Sequence, residues 1–521
     1  MSATTALPEG KARPEESAAP LRIVFVFMTL FARLRLFGSV IEGLLDRGHS
    51  VHVLIEDDSE HGEVEQDWLR RMEERPGFSW EVRRALRSDR WYWPAVSLRR
   101  ASEFVRWHRP EFEAKPWFKD RARRRAPGWA KTLLKPEVMR RPQSIAAVES
   151  VLRPLERAVP VGRYVRAALE ELRPDLLLVC PDLSTGSLSG VYLATARELG
   201  VPAAACIASW DNLTSKQILG IVPDAVFVWN EIQRGEARDI HGIPEERVVV
   251  TGAQCFDQWF EWKPRPREEF CARVGLDPDR PYLLYVAGSL AHTAPPEVDL
   301  VNGWLRRLRS SRHESLHEVG VLVRPHPKRS EQWLELDPPD DRVVMWPKPP
   351  VNMPVDAGDR ADYFDSMYHS ATVVGLNTSA MIEAAIVGRS VHTMLFPEYE
   401  DTQGATFHFD YLFTVGGGIL RPARSFEENE DQLAAVLAGT DEPAEEQSRR
   451  FVREFVRPYG LDVAATPRFV AEVEKLGARG HAAPQRTPIW LYPLRGAVVA
   501  GVYAAQPREL KRAVQVRLRR S

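Results

Sequence analysis

Cysteine is scarce: the 521 residues hold four (Cys180, Cys206, Cys255 and Cys271), and no two form a CxxC pair. That excludes a disulfide scaffold and a cysteine zinc finger, and it agrees with a reducing compartment. Net charge is nearly absent, with Lys+Arg 70 against Asp+Glu 72 for a balance of −2. A globally basic nucleic-acid binder and a highly charged disordered chain are therefore excluded. No apolar run reaches the roughly 18 uncharged residues a spanning helix needs. Metal signals are also poor. Asp277-Pro278-Asp279 matches Asp-x-Asp literally but sits in a Gly-Leu-Asp-Pro turn before a strand, so it reads as turn chemistry and no metal is expected. At about 150 residues per domain, the length suggests two or three domains with their own cores.

Two segments approach a membrane signal. Residues 21–31 are apolar and follow Lys11 and Arg13, like a signal peptide. Glu9, Glu15 and Glu16 spoil the basic region, and no small-residue cleavage site follows. Residues 488–505 are apolar but contain Pro493 and Arg495, and a basic tail at 508–520 comes after them. A packed terminal segment is the first expectation there and an interfacial anchor the second.

Charge is unevenly placed. Residues 83–141 hold 18 Lys/Arg against 6 Asp/Glu, a local charge of +12 that leaves −14 for the remainder. Five tryptophans share that stretch: Trp91, Trp93, Trp107, Trp117 and Trp129. It reads either as a solvated helical insertion or as a surface meeting anionic lipid or an anionic acceptor. No recognition motif accompanies it, so no nucleic-acid partner is expected.

Residues 1–20, rich in Pro, Ala and Glu, read as a disordered leader. Alternating β and α grammar follows. Residues 21–28 are an apolar run of strand length, 37–46 a helix pattern, Gly48 a left-handed stop, and 51–55 the next strand. The pattern recurs with a strand at 174–180, a helix at 187–198, Gly200, and a strand at 201–207. It returns with a strand at 371–375, a helix at 379–386, Gly388, and a strand at 390–396. Strands this apolar, joined by helices, belong to parallel sheets covered on both faces, which bind ligands at their carboxyl ends. Residues 248–251 end a first sheet, 259–281 are charged and non-periodic, and 282–287 open a second. The expected organisation is a first domain at 21–258 with the basic insertion 83–141 and a second at 280–440. A helix at 445–476 would pack back across them, and the basic tail 477–521 would lie at an interface.

Three strand ends carry candidate chemistry. The strand 281–287 runs into Gly288-Ser289-Leu290, a small-residue loop able to bring backbone N–H groups to a phosphate or simply to turn. Val321-Leu322-Val323-Arg324-Pro325-His326-Pro327 ends a strand in Arg and His with prolines fixing the backbone. Arg324 could pair bidentately with a phosphate, and His326 could donate a hydrogen bond or a proton to it. Asn377-Thr378-Ser379 precede a helix that carries Glu383 one turn in. Thr378 and Ser379 could cap that helix or hold an anion at its N-terminus, and Glu383 could accept from ribose hydroxyls.

In this order, the Gly/Ser loop, Arg-x-His-Pro and Asn-Thr-Ser-x-x-x-Glu-Ala-x-x-x-Gly-x-x-Val resemble the donor domain of GT-B glycosyltransferases. Phe37-Gly38-Ser39-Val40, followed by residues 44–51, is similar to their first βα unit. Residues 247–257 resemble the segment closing their N-terminal domain, which UDP-N-acetylglucosamine 2-epimerases share. The resemblance spans roughly residues 21–475. His326-Pro327 is similar to the His-Pro motif of capsular polysaccharide, polysialic acid and CDP-glycerol glycerophosphotransferase families, where it holds a nucleotide phosphate. Trp210-Asp211-Asn212-Leu213-Thr214-Ser215-Lys216, with Gly220 beyond, looks like the Trp-His-Gly-Thr-x-x-Lys element of the glycerophosphotransferases. Asp211 stands where that family has its candidate base, a departure that weakens a glycerophosphate substrate. An Asx-turn is the plain alternative for Asp211.

The resemblance implies an α/β fold of two doubly wound Rossmann-like domains (GT-B) facing across a cleft, with a helical C-terminal tail. It implies a metal-independent transferase with no cofactor, moving a sugar from a nucleotide-activated donor to a hydroxyl acceptor in surface polysaccharide or glycolipid synthesis. Donor phosphates would meet Ser289, Arg324, His326, Thr378 and Ser379, and the ribose Glu383. Asp211 and His326 would be catalytic; Gly38, Asp182 and Lys216 would face the acceptor, with Asp182 the reserve base. A lipid-linked acceptor and an anionic membrane surface would place the protein in the cytoplasm, peripheral on the inner face of the membrane. The rivals are a glycerophosphotransferase-like enzyme, a sugar-nucleotide epimerase, and a non-catalytic pathway protein. The last would be favoured if Asp211 and His326 point away from the cleft.

Overall fold

The computed structural model describes residues 19–28, 36–56, 63–83, 91–113, 116–160, 162–181, 188–216, 218–290, 294–351, 357–440 and 444–505. Asp182, nearly all of the leader and the end of the basic tail lie outside them.

Seven parallel strands form the first sheet: β1 (Arg22–Met28), β2 (Ser50–Glu56), β3 (Phe78–Arg83), β4 (Leu176–Cys180), β5 (Ala203–Cys206), β6 (Ala225–Val228) and β7 (Val248–Val250), in the order β3-β2-β1-β4-β5-β6-β7. Central β1 pairs Ile23 with Val51 on one side and with Leu176 on the other. Its alternate residues enter two cores. Phe25 and Phe27 pack with Val40, Ile41 and Leu44 of the helix Gly38–Asp46, while Val24 and Val26 pack with Tyr192 and Leu193 of the helix Ser189–Leu199. Burial on both faces is why the strand reads as an unbroken apolar run. The second sheet has six strands: β8 (Tyr282–Val286), β9 (Gly320–Arg324), β10 (Val343–Met345), β11 (Thr372–Gly375), β12 (Val391–Met394) and β13 (Leu420–Ala423), in the order β10-β9-β8-β11-β12-β13. In each sheet the order reverses beside the first strand, which opens a crevice at the carboxyl ends.

Residues 259–281, the charged stretch between the two sheets, are packed structure. The end of the helix Asp257–Glu261 and the helix Arg267–Val274 lie in the segment, and Phe270 and Cys271 are buried in a core shared with the second sheet. Arg265 fastens it, donating to Asp362 and Asp365 at 2.6 Å each. The C-terminal helices cross between domains. Ala444–Phe455 packs on the helix Ala380–Ile386, and Ala465–Gly477 returns to the helix Gly38–Asp46. Asp257 ties the return, accepting from Arg457 at 3.0 Å and from the backbone N–H groups of Ala465 at 3.0 Å and Thr466 at 2.7 Å.

The basic insertion turns Trp107, Trp117 and Trp129 inward. Trp107 is buried and stacks on Phe118 at 4.8 Å, and Phe118 stacks on Phe407 of the second domain at 5.2 Å. Trp129 donates to Ser97 Oγ at 3.2 Å. These tryptophans therefore build a helical core that touches both domains, in place of the outward aromatic face a lipid surface would use. The outward aromatics lie elsewhere. The helix Tyr492–Ala505 buries Val498 and Val502 against the helices Tyr92–Arg106 and Pro142–Ala158, and just before it Ile489 is 82% and Trp490 67% exposed. Among the described residues no helix is long and apolar enough to cross a membrane.

Candidate functional site

The helix Gly38–Asp46 and the loops leaving β5, β6 and β7 face the helices Ala357–Tyr368 and Ala380–Ile386 across a cavity of about 440 Å3. Its wall is rich in aromatics, with Trp68, Trp210, Trp229, Trp259 and Trp262 contributing. Size and lining suit a small organic ligand with a planar group to stack. Polar side chains on the wall include Ser39, Glu42, Ser209 and Gln254 from the first domain and Arg360, Tyr363, Ser379 and Glu383 from the second.

Glu42 lies one turn into the helix Gly38–Asp46 and is half-buried. Burial raises its carboxyl above the ordinary range, Arg75 and Arg360 pull the other way, and Asp46 adds to the rise. A carboxyl so placed holds a proton more readily than an exposed glutamate, the direction that suits an acid–base group.

On the second domain, Arg324 ends β9 one layer behind the wall. It is buried, and its guanidinium lies 4.7 Å from the Tyr363 ring centroid. Among the described residues Arg324 Nη1 has no hydrogen-bond partner. Burial lowers its pKa, while Tyr363, Asp362, Asp359 and Glu383 counteract that. Tyr363 lines the cavity and donates its hydroxyl to Glu383 Oε2. A buried cation, a cavity-facing tyrosine and a cavity-facing carboxylate thus form one unit. An unsatisfied buried donor is costly, and an anion is the partner that would satisfy it best.

The other sequence candidates fall in different places. Gly38, Ser379 and Glu383 line the cavity; Asp211, Lys216, Ser289, His326 and Thr378 do not. Ser379 ends the approach to the helix Ala380–Ile386 with no capping side-chain bond, whereas Thr378 Oγ1 accepts from Ala380 N at 3.4 Å. His326 is half-buried, and its Nδ1 accepts from Lys328 N at 3.0 Å. The neutral ring therefore carries its hydrogen on Nε2.

The Gly288–Leu290 loop differs from the open nest its sequence suggests. Gly288 N donates to both carboxylate oxygens of Glu297, at 3.3 and 3.1 Å, and Tyr285 donates to Oε1 at 2.9 Å. A Cβ on Gly288 would lie 2.8 Å from Asn377 O, so glycine is what lets this loop meet the one after β11. Burial pushes the Glu297 carboxyl up to about 8, opposed by the Gly288 and Tyr285 bonds and by Arg329.

Asp211 follows β5 next to the cavity-lining Trp210. Its carboxylate accepts from Ser209 Oγ and Ser215 Oγ at 2.7 Å each and lies 3.9 Å from Lys216 Nζ. Burial opposes its ionisation, but Lys216, His408 and the two serines outweigh it and hold the carboxyl far below the usual range. These bonds run to side chains, so the turn is not the backbone Asx-turn of the alternative reading. Arg121 of the insertion holds the same loop, donating to the carbonyls of Ser215 and Lys216.

Sequence reasoning missed Glu42 and the aromatic wall. Phe256-Asp257-Gln258-Trp259-Phe260-Glu261-Trp262 is the densest aromatic stretch between the domains, and that density inside an apparent linker was the available signal.

No protein-family model and no curated protein matches the chain. Solved structures do. One UDP-N-acetylglucosamine 2-epimerase is 13% identical, covering 90% of this chain and 99% of its own, with a TM-score of 0.50. A structure from Listeria monocytogenes described under the same activity is 12% identical over 89% and 99%, also at 0.50. A glycosyltransferase from Rickettsia africae is 9% identical over 88% and 99%, at 0.49. Identities this low speak for architecture alone. The chain has the GT-B fold, two Rossmann-like domains facing across a cleft with a helical C-terminal segment.

Proposed function

We propose that the protein is a glycosyltransferase that moves a sugar from a nucleotide-activated donor to a hydroxyl acceptor in the interdomain cavity. The observation that carries this is the Arg324–Tyr363–Glu383 unit, in which a buried guanidinium with an unpartnered N–H stands behind the cavity wall. The donor diphosphate would draw on Arg324 and Ser379, and its ribose would meet Glu383. The nucleobase would stack on the aromatic wall.

Across the cavity, Glu42 takes the role of base in place of Asp211. Its carboxylate accepts the proton of the acceptor hydroxyl, and that oxygen attacks the anomeric carbon. The bond from carbon to the diphosphate oxygen breaks, and its electron pair leaves with the nucleotide diphosphate. Attack from the face opposite the leaving group inverts the anomeric centre. Asp211 instead holds the Trp210 loop in place, since a carboxylate kept this strongly ionised is a weak base. The exposed Ile489 and Trp490 support a peripheral membrane location for the acceptor.

The test is to incubate the full chain with UDP-, CDP-, CMP-, GDP- and dTDP-linked sugars, with and without lipid-linked hydroxyl acceptors. Acceptor-dependent release of nucleotide is the expected result. Conversion of one nucleotide sugar without acceptor would instead make it an epimerase, the activity named for the solved neighbours at 0.50. Binding without turnover would favour a non-catalytic role.

A further inference from the structure

A second cavity, of about 380 Å3, lies between the first sheet and the basic insertion. Ala203 at the start of β5, Asp224 just before β6 and Arg247 just before β7 line it. It therefore sits at the amino-terminal edge of the sheet, opposite the edge that bears the cleft. Six arginines face it: Arg99, Arg106, Arg153, Arg157, Arg197 and Arg247. The acids beside them are Glu149, Glu156 and Asp224.

Those acids are already engaged. Glu149 pairs with Arg109, Glu156 accepts from Arg99 at 3.3 Å, and Asp224 accepts from Ala203 N at 3.0 Å. Three of the arginines are also placed: Arg99 on Glu156, Arg106 on the Ile240 carbonyl, and Arg247 on the Pro223 carbonyl at 2.8 Å. Arg153, Arg157 and Arg197 have no hydrogen-bond or ion-pair partner among the described residues. Arg197 is half-buried, and burial and then Arg157 work against its charge while Glu198 and Asp224 favour it; Arg153 and Arg157 are exposed. Like charges gathered in one concavity repel one another, and a bound anion relieves that repulsion. A guanidinium fork matches the oxygens of a phosphate. Leu193, Ile221 and Val222 supply an apolar part of the wall for the remainder of such a ligand.

We propose that this cavity binds the phosphate group of a phosphorylated ligand, through Arg153, Arg157 and Arg197, independently of the donor cleft. The same chemistry is offered by a soluble organophosphate and by a phosphate lipid headgroup.

The test uses pyrophosphate titrated calorimetrically into the full chain, and sedimentation with phosphatidylcholine vesicles containing phosphatidic acid. The variants are Arg157→Ala/Arg197→Ala and, to silence the cleft, Arg324→Ala. The rear site should bind in Arg324→Ala as in the wild type, and the double variant should lose about tenfold or more in affinity for its source. Loss confined to pyrophosphate identifies a soluble ligand, and loss confined to vesicles a lipid headgroup. Should the alanine pair fail to keep the unliganded melting temperature, Arg157→Lys/Arg197→Lys retains the charge without the fork and should weaken binding part-way. Variants that match the wild type with both probes, or no binding of either probe by Arg324→Ala, would overturn the proposal.

Discussion

The loop after β8 and the loop after β11 read alike in sequence: each is a run of small residues at the end of a buried strand, suited to a phosphate. Folded, they differ. Gly288 spends its N–H on Glu297, a carboxylate supplied by the start of the next helix, Glu297–Arg309. Ser379 opens onto the cavity with no capping bond, beside Glu383 and in front of the Arg324–Tyr363 pair. One loop spends its backbone donor on an internal carboxyl group, and the other turns its serine toward the cavity. Small residues at a strand end thus mark where backbone donors gather, and what they bind depends on which side chain the next helix brings back.

The largest effect should come from the wall facing the open loop. Glu42→Gln keeps the shape of the side chain and removes its basicity, so turnover should fall by roughly 10²–10⁴ while donor affinity stays level. Asp211→Asn should change turnover only a few-fold, and steady-state kinetics on the two variants would separate them. The reverse ranking would return the base to Asp211.

Next in size, Arg324→Ala should weaken nucleotide binding by about 1.5–3 kcal/mol, the scale of a bond to a charged group. Ser379→Ala should cost about 0.5–1.5 kcal/mol in the same titration, and Ser289→Ala close to nothing. Equal losses at Ser379 and Ser289 would erase the distinction between the loops.

The closed loop carries its own signature in pH. Folded Glu297 keeps its proton up to about 8, whereas an unfolded glutamate releases it near about 4.3. Between those values the folded state binds more protons, so this group lowers stability as pH rises through the window. Glu297→Gln should remove that component. The slope of unfolding free energy against pH should become less negative by at most about 1.4 kcal/mol per pH unit, read by denaturant titration. An unchanged slope would mean the carboxylate is solvated and the loop open. The smallest expected effect is that of a chelator, which should leave nucleotide binding unaltered. A loss of affinity on chelation would point to a cation in the cleft.

Much of the frame was legible because it follows from local pattern. The run at 21–28 became β1, and Gly48 and Gly200 stop their helices with φ of 83° and 76°. The stretch at 174–180 became β4, with every residue of Leu176–Cys180 buried. The site was only partly legible. Ser379 and Glu383 follow from their place on a helix after β11, and Gly38 from the first βα unit. Glu42 did not stand out, because a glutamate on a helix next to a loop is ordinary until a second domain covers it. The closing of Gly288 depends on Glu297, nine residues away and brought back by the fold. The tryptophans of the insertion were ambiguous for the same reason, since composition does not tell an inward aromatic from an outward one.

Hydrogen exchange with and without the best-binding nucleoside diphosphate tests the contrast between the two loops most directly. Ligand should slow exchange across residues 377–383 and around Arg324, and leave the Gly288 amide at its unliganded rate because that N–H is already bonded to Glu297. Protection of Gly288 equal to that of residues 377–383, or none at residues 377–383, would contradict the account.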